Sequence, residues 1–164
     1  MIDAEIEQRA ARVLEVCRAV GLTIATAESC TGGLVAGALT AIAGSSDVVD
    51  RGFVTYSNLA KQQMLRVPEV ILAAHGAVSE QTANAMARGA LAAAGTGLSV
   101  AITGVAGPGG GSAEKPVGLV HFAAAKKGGP VLHREERFGD LGRADIRRRA
   151  VLVALDLLET LARF

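Results

Sequence analysis

The chain has 164 residues, half of them apolar, with 17 basic and 16 acidic side chains and a formal charge of +1. That length is enough for one domain with a substantial buried core, and that apolar content excludes disorder. The near-zero charge argues against broad phosphate-backbone binding, and no apolar run approaches the roughly 20 residues of a membrane span. Aromatic residues make up 3% and tryptophan is absent. The core must therefore rest on close approach of helices and sheet rather than on large side chains. Cys17 and Cys30 have neither a metal-ligand spacing nor a disulfide framework, which fits a reduced interior. The acidic start, Ile2-Asp3-Ala4-Glu5-Ile6-Glu7, is not a signal peptide, so a cytoplasmic protein is expected.

In chain order, the first segment reads as an amphipathic helix with Ile6, Ala10, Val13, Cys17 and Val20 on one face, ended by Gly21. Leu22 to Ala27 follows as a short apolar strand. Glu28-Ser29-Cys30-Thr31-Gly32-Gly33 then runs into a helix containing Leu34, Val35, Ala38, Leu39 and Ile42, with Gly44 as its stop. Arg51 to Tyr56 returns as a strand. Ser57 is the expected N-cap of a helix through Leu65, which puts Lys61 one turn in. Pro68 starts a short helix that stops at Gly76. Ser79 caps the next, whose face is Ala83, Met86, Ala87, Ala90, Leu91 and Ala94. Leu98 to Thr103 is a strand entering the glycine-rich run Gly104 to Gly111. Val117–Ala125 and Val131–Phe138 read as a strand pair. The last helix presents Ile146, Ala150, Val153, Ala154, Leu157, Leu158 and Leu161. Alternating helices and strands early, with adjacent strands late, predict a single three-layer α/β/α domain over residues 1–164 with a mixed, partly parallel sheet.

Chemistry concentrates in a few places. Ser45-Ser46-Asp47, then Gly52 to Asn58 and Lys61, bring hydroxyls, a phenol and an amine into one short stretch. None of His75, His121 and His133 sits in a recognisable motif. Acyl transfer without histidine recruits another base, and a desolvated lysine beside a serine is one solution. A helix end, a turn and a strand with ordinary surface residues is the competing reading. Gly32-Gly33 at a helix start after a strand offers free N–H groups to an anion, or is a tight turn capped by Thr31. The loop after Thr103 lacks the Walker and dinucleotide-binding spacings. Two glycine-rich loops after strands nevertheless mark where an open α/β sheet binds ligands. Ser29 and Thr103 stand where strands meet loops and can donate to a ligand. Arg143, before the last helix, can reach a carboxylate or phosphate, whereas Arg147, Arg148 and Arg149 read as a solvated face. Cys30 at a helix N-terminus is the rival nucleophile.

Thr26 to Gly33, Gly44-Ser45-Ser46, Gly52 to Asn58 with Lys61, His75 to Ser79 and Thr103 to Pro108, in this order, resemble the C-terminal domain family of the competence/damage-inducible protein CinA. The similarity covers nearly the whole chain. Its stand-alone members are nicotinamide-nucleotide amidohydrolases. The resemblance implies hydrolysis of the carboxamide of nicotinamide mononucleotide to nicotinate mononucleotide and ammonia, in pyridine-nucleotide recycling. It also implies a serine mechanism with no metal and no cofactor. Carried onto this chain, the nucleophile falls on Ser46, with Tyr56 and Lys61 as activating partners. The expected substrate-binding positions are Ser29, Thr31, Gly32, Gly33, Thr103, Gly104, Gly107 and Arg143. The expected partner is the small-molecule substrate, with no nucleic acid and no membrane, in a homodimer or higher homo-oligomer. A non-catalytic nucleotide-binding module serving competence or DNA damage, and a thiol hydrolase built on Cys30, stand as alternatives.

Overall fold

The computed structural model describes residues 2–164. Six helices and five strands follow in the order α1 (Ala4–Val20), β1 (Ile24–Glu28), α2 (Leu34–Thr40), β2 (Val49–Val54), α3 (Asn58–Leu65), α4 (Glu69–His75), α5 (Glu80–Ala94), β3 (Leu98–Gly104), β4 (Leu119–Lys126), β5 (Val131–Arg137) and α6 (Arg143–Ala162). A 3-10 turn, Ser45–Asp47, precedes β2. The strands lie in the order β2-β1-β3-β4-β5. β1 is parallel to both β2 and β3, while β3–β4 and β4–β5 are antiparallel. The expected mixed, partly parallel sheet is what forms.

The two faces of the sheet carry separate cores. On one, Ile6, Val13 and Cys17 of α1, Val35 and Leu39 of α2 and Ile146, Ala150 and Leu158 of α6 pack on Ile24, Val100, Ile102 and Phe122. On the other, Ala83, Met86, Ala87 and Ala90 of α5 meet Ala27, Ala101, Ala123 and Ala125, with Leu65 and Leu72 from α3 and α4. Alanine against alanine lets α5 sit close to the sheet, as a core poor in aromatics requires. Three layers result.

Local chemistry sets the ends of the elements. Asp3, Ser57 and Ser79 cap α1, α3 and α5 by accepting from Ile6, Ala60 and Thr82 N–H. Gly21 closes α1 in the left-handed conformation. Two expectations need correction. Val20 is exposed at the end of α1 rather than part of the buried stripe. Gly44 does not terminate α2, which ends at Thr40; it opens the following 3-10 turn with a positive φ.

This topology makes β1 a switch point. The chain leaves β1 outward to β2 through α2, yet returns on its other side as β3 after α3, α4 and α5. A crevice therefore opens beyond the carboxyl ends of β1, β2 and β3, the place where open α/β sheets bind ligands.

Candidate active site

That crevice is a cavity of about 190 Å³ lined by Ser29, Cys30, Tyr56, Lys61, Ala77, Val78, Thr103, Gly104, Ala106 and Arg143. Three roomier grooves, of about 790, 740 and 320 Å³, lie along α1 with the C-terminus, between α3 and α5, and across β4 and β5 beside the start of α5. The first two have no buried polar side chain among the described residues; in the third, buried Ser79 caps α5 and buried His121 pairs with His133, whereas Ser29, Lys61 and Thr103 converge buried on the smaller cavity. Buried polar groups converging on a cavity mark the chemistry better than volume does.

Lys61 stands at the centre. Ser57 starts α3 and places Lys61 one turn in, pointing across the strand ends. Its side chain is 1% exposed. Its Nζ donates to Ser29 Oγ at 3.1 Å, to the Thr55 carbonyl at 2.8 Å and to the Tyr56 carbonyl at 3.3 Å. No carboxylate pairs with it among the described residues. Burial pushes the amine below its ordinary value, because the charged form loses its hydration; the nearby Cys30 opposes this weakly.

Ser29 follows β1 directly. Its N–H extends the β1–β3 ladder by donating to the Ile102 carbonyl at 2.9 Å, which fixes the residue at the rim. Ser46 lies elsewhere. It is exposed on the 3-10 turn before β2, at the amino end of the parallel strands, while Thr55 and Lys61 lie past the carboxyl end. Six residues of β2 separate them, roughly 20 Å of strand. The pairing of Ser46 with Lys61 is therefore corrected: the serine beside the amine is Ser29. The main role near Ser46 belongs to Asp47, which accepts from Arg18 at 2.7 Å.

Tyr56 meets Lys61 through its main-chain carbonyl, not its phenol. The ring is 62% exposed, and its Oη accepts from Arg143 Nη2 at 3.1 Å. Arg143, the first residue of α6, also donates from Nη1 to the Gly107 carbonyl at 2.8 Å. It thus ties the glycine-rich loop to the end of β2 at the mouth of the cavity. Thr103 is buried and donates to the Ala77 carbonyl at 2.8 Å, holding the strap between α4 and α5 over the crevice. Gly104 is compelled by contact, since a Cβ there would lie 2.7 Å from Val120 Cγ2 and 2.8 Å from the Leu119 carbonyl.

The turn from Ser29 to Gly33 differs from both expectations for it. The amino end of α2 does not await an anion from outside. The fully buried Glu28 carboxylate fills it, accepting from Val35 N–H at 2.9 Å, Ala36 N–H at 3.0 Å and Thr31 Oγ1 at 2.7 Å. Thr31 therefore serves Glu28 rather than a ligand or the helix cap, and the N-cap is Gly33 with no side-chain bond. Cys30 is 5% exposed, and burial pushes its thiol up to about 12. A thiol so held yields almost no thiolate near neutral pH, which disfavours the rival nucleophile. Among the described residues no group of three or more His, Cys, Asp or Glu is arranged to hold a metal ion, and no helix is long and apolar enough to cross a membrane.

Known proteins carry the same architecture. Residues 6–162 match the CinA C-terminal domain. The nicotinamide-nucleotide amidohydrolase PncC of Escherichia coli (strain K12) is 53% identical over 159 residues, covering 96% of this chain and 95% of that protein. A CinA-like protein of Synechococcus sp. (strain RCC307) is 53% identical over 156 residues, which are 94% of this chain but 37% of that protein. The crystal structure of the competence/damage inducible protein CihA from Agrobacterium tumefaciens superposes with a TM-score of 0.96, at 56% identity over 98% of both chains. With its sheet, its crevice and all but the extreme ends of its sequence inside that match, this chain belongs to the CinA C-terminal domain family.

Proposed function

We propose that this protein is an amidohydrolase that converts nicotinamide mononucleotide to nicotinate mononucleotide and ammonia, with Ser29 as nucleophile and Lys61 as base, in recycling of pyridine nucleotides. The observation that carries the reading is the buried Lys61 amine 3.1 Å from Ser29 Oγ. The substrate class is supported by the named amidohydrolase relative at 53% identity. A cavity of about 190 Å³ suits one heteroaromatic amide, whereas sites for larger ligands run about 300–1,000 Å³. The ribose phosphate would then extend from the mouth, where Arg143 keeps guanidinium donors beyond the two used within the chain.

The chemistry runs in two balanced halves. Neutral Lys61 takes the Ser29 proton as Oγ bonds to the carboxamide carbon, and the carbonyl π electrons move to oxygen. As the C–N bond breaks, Lys61 returns the proton to nitrogen and ammonia leaves. Water then attacks the acyl ester with Lys61 again as base, releasing the acid and restoring the serine. The Thr55 and Tyr56 carbonyls aim the amine throughout. Arg143 holds Tyr56 against the mouth, so the phenol serves as a wall and hydrogen-bonding group rather than as the proton relay.

The test is ammonia release from nicotinamide mononucleotide by purified variants. Ser29→Ala should lose roughly a thousandfold or more of kcat. Ser46→Ala should stay within about twofold of the parent, as exposed sites distant from the chemistry do. The opposite ranking would return the nucleophile to Ser46. Binding of the nucleotide with no ammonia from the parent protein would make it a binding module instead.

A further inference from the structure

Among the arginines of α6, Arg147 has an unusual set of partners. Arg148 pairs with Asp3 and Glu5 on the surface, as an ordinary solvated arginine does. Arg147 is half-buried and pairs with no carboxylate among the described residues. Its Nε donates to the Cys30 carbonyl at 3.1 Å and its Nη2 reaches the Thr31 carbonyl at 3.4 Å. The fork of one guanidinium thus holds two successive peptide groups of the turn that carries Ser29. Arg143 lies one helical turn earlier, so the two share a face of α6, one holding the Gly107 loop and Tyr56 and the other the turn after Ser29. Gly32 leaves room for this clamp, since a Cβ there would lie 3.3 Å from Arg147 Nη2.

The amides of the turn complete the argument. Gly32 N–H donates to the Ser29 carbonyl at 3.0 Å and Leu34 N–H to the Thr31 carbonyl at 3.0 Å. Neither the Cys30 nor the Thr31 N–H donates to another residue among the described residues; Cys30 lines the cavity, its N–H close to its own thiol, whereas Thr31 is fully buried and does not line it.

We propose that Arg147 is a positioning residue: by gripping the Cys30 and Thr31 carbonyls it fixes the turn that carries Ser29, holding the Ser29 hydroxyl at the cavity and the Cys30 N–H as a donor to the oxyanion formed when Ser29 attacks. This rests on the reading of Ser29 as nucleophile. Donors aimed at developing charge act only if held before the reaction, and a displacement of about 1 Å can cost roughly a hundredfold in rate.

The experiment compares Arg147→Met, Arg147→Lys and Ser29→Ala in ammonia release from nicotinamide mononucleotide, with melting curves and with added methylguanidinium. Arg147→Met should lose roughly a hundredfold in kcat with KM within about threefold, because the ground-state amide needs the donor less than the tetrahedral state does. Arg147→Lys, a point charge able to hold one carbonyl, should fall between. Methylguanidinium should restore part of kcat to Arg147→Met and none to Ser29→Ala. If Ser29→Ala is inactive while Arg147→Met keeps its kcat, or loses activity only in step with its melting temperature and without rescue, the positioning role is overturned. Turnover by Ser29→Ala would overturn the nucleophile and the role of Arg147 together.

Discussion

Lys61 is an amine removed from water with two carbonyls and a hydroxyl as partners and no carboxylate to offset its charge. Its lowered pKa suits it to the proposed role of base and also sets a stability term. Unfolded, the amine titrates at its ordinary 10.5; folded, below that. Between the two values the unfolded chain binds more protons, so this group makes stability rise with pH and weighs against folding at neutrality. Lys61→Met should abolish ammonia release, and its melting temperature relative to the parent should fall steadily as pH rises toward 10.5. A gap that is flat or widens with pH in the mutant's favour would contradict the assignment. The same shift requires kcat/KM of the parent to rise with pH through the folded value. Lys61→Arg should be inactive at every pH, because a guanidinium does not surrender its proton. That Lys61 sits one turn into a helix was readable from Ser57 and the spacing alone. Its serine was not. Ser46 stands nearer to Lys61 in sequence than Ser29 does, but β2 carries the chain from the amino end of the parallel strands to their carboxyl end between Ser46 and Lys61.

At the scale of elements, α3 places the amine only because α5 lets it approach. Gly89 is the point of contact: a Cβ there would lie 2.0 Å from the Leu65 carbonyl and 2.9 Å from its carbon. These are backbone atoms, which have no rotamer in which to escape. Gly89→Ala should force α3 outward, at a cost of about 1–3 kcal/mol for overpacking. Since Leu65 lies one turn after Lys61, kcat should fall together with the melting temperature. Crystallography or amide exchange of α3 would show whether the helix moved; full activity with an undisturbed α3 would refute the coupling. Glycine in a predicted helix interior gave no hint of this in the sequence, because intrinsic propensity counts it only as a weakness. Glu28 was hidden for a related reason. A carboxylate at the end of an apolar strand looks like a loop residue until the fold shows α2 starting over it. The solvated reading of the α6 arginines failed at Arg147, where the i, i+4 spacing from Arg143 was the one available sign.

For the whole molecule, periodicity and caps were enough to give the layers, since the buried stripes of α1, α5 and α6 are almost those the spacing demands. Strand order was not, because nothing local says that β3 inserts on the free side of β1, and that insertion creates the crevice. The antiparallel half of the sheet shows a further effect of assembly. His121 faces Thr103 across β3–β4, and its Nδ1 lies 2.9 Å from Nε2 of His133 on β5. Glu135 and Glu80 flank the pair at 3.7 Å on their outer nitrogens. Burial, then the neighbouring His133, lower the His121 pKa, with Lys115 acting in the same sense and the two carboxylates opposing. The unfolded histidine titrates near 6.5 and the folded one below it. In that window the unfolded chain binds more protons, so neutral His121 contributes its full stability above pH 6.5 and loses it as pH falls through the folded value. Chemical denaturation at a series of pH values from 8 to 5 should therefore show stability declining on acidification, with a smaller decline in His121→Asn. Burial supplies the main reason, since a charged His121 ring loses its hydration, and the imidazole 2.9 Å away adds to it. If His121→Asn declines as steeply as the parent, His121 is not the titrating element and another group must carry the acid sensitivity.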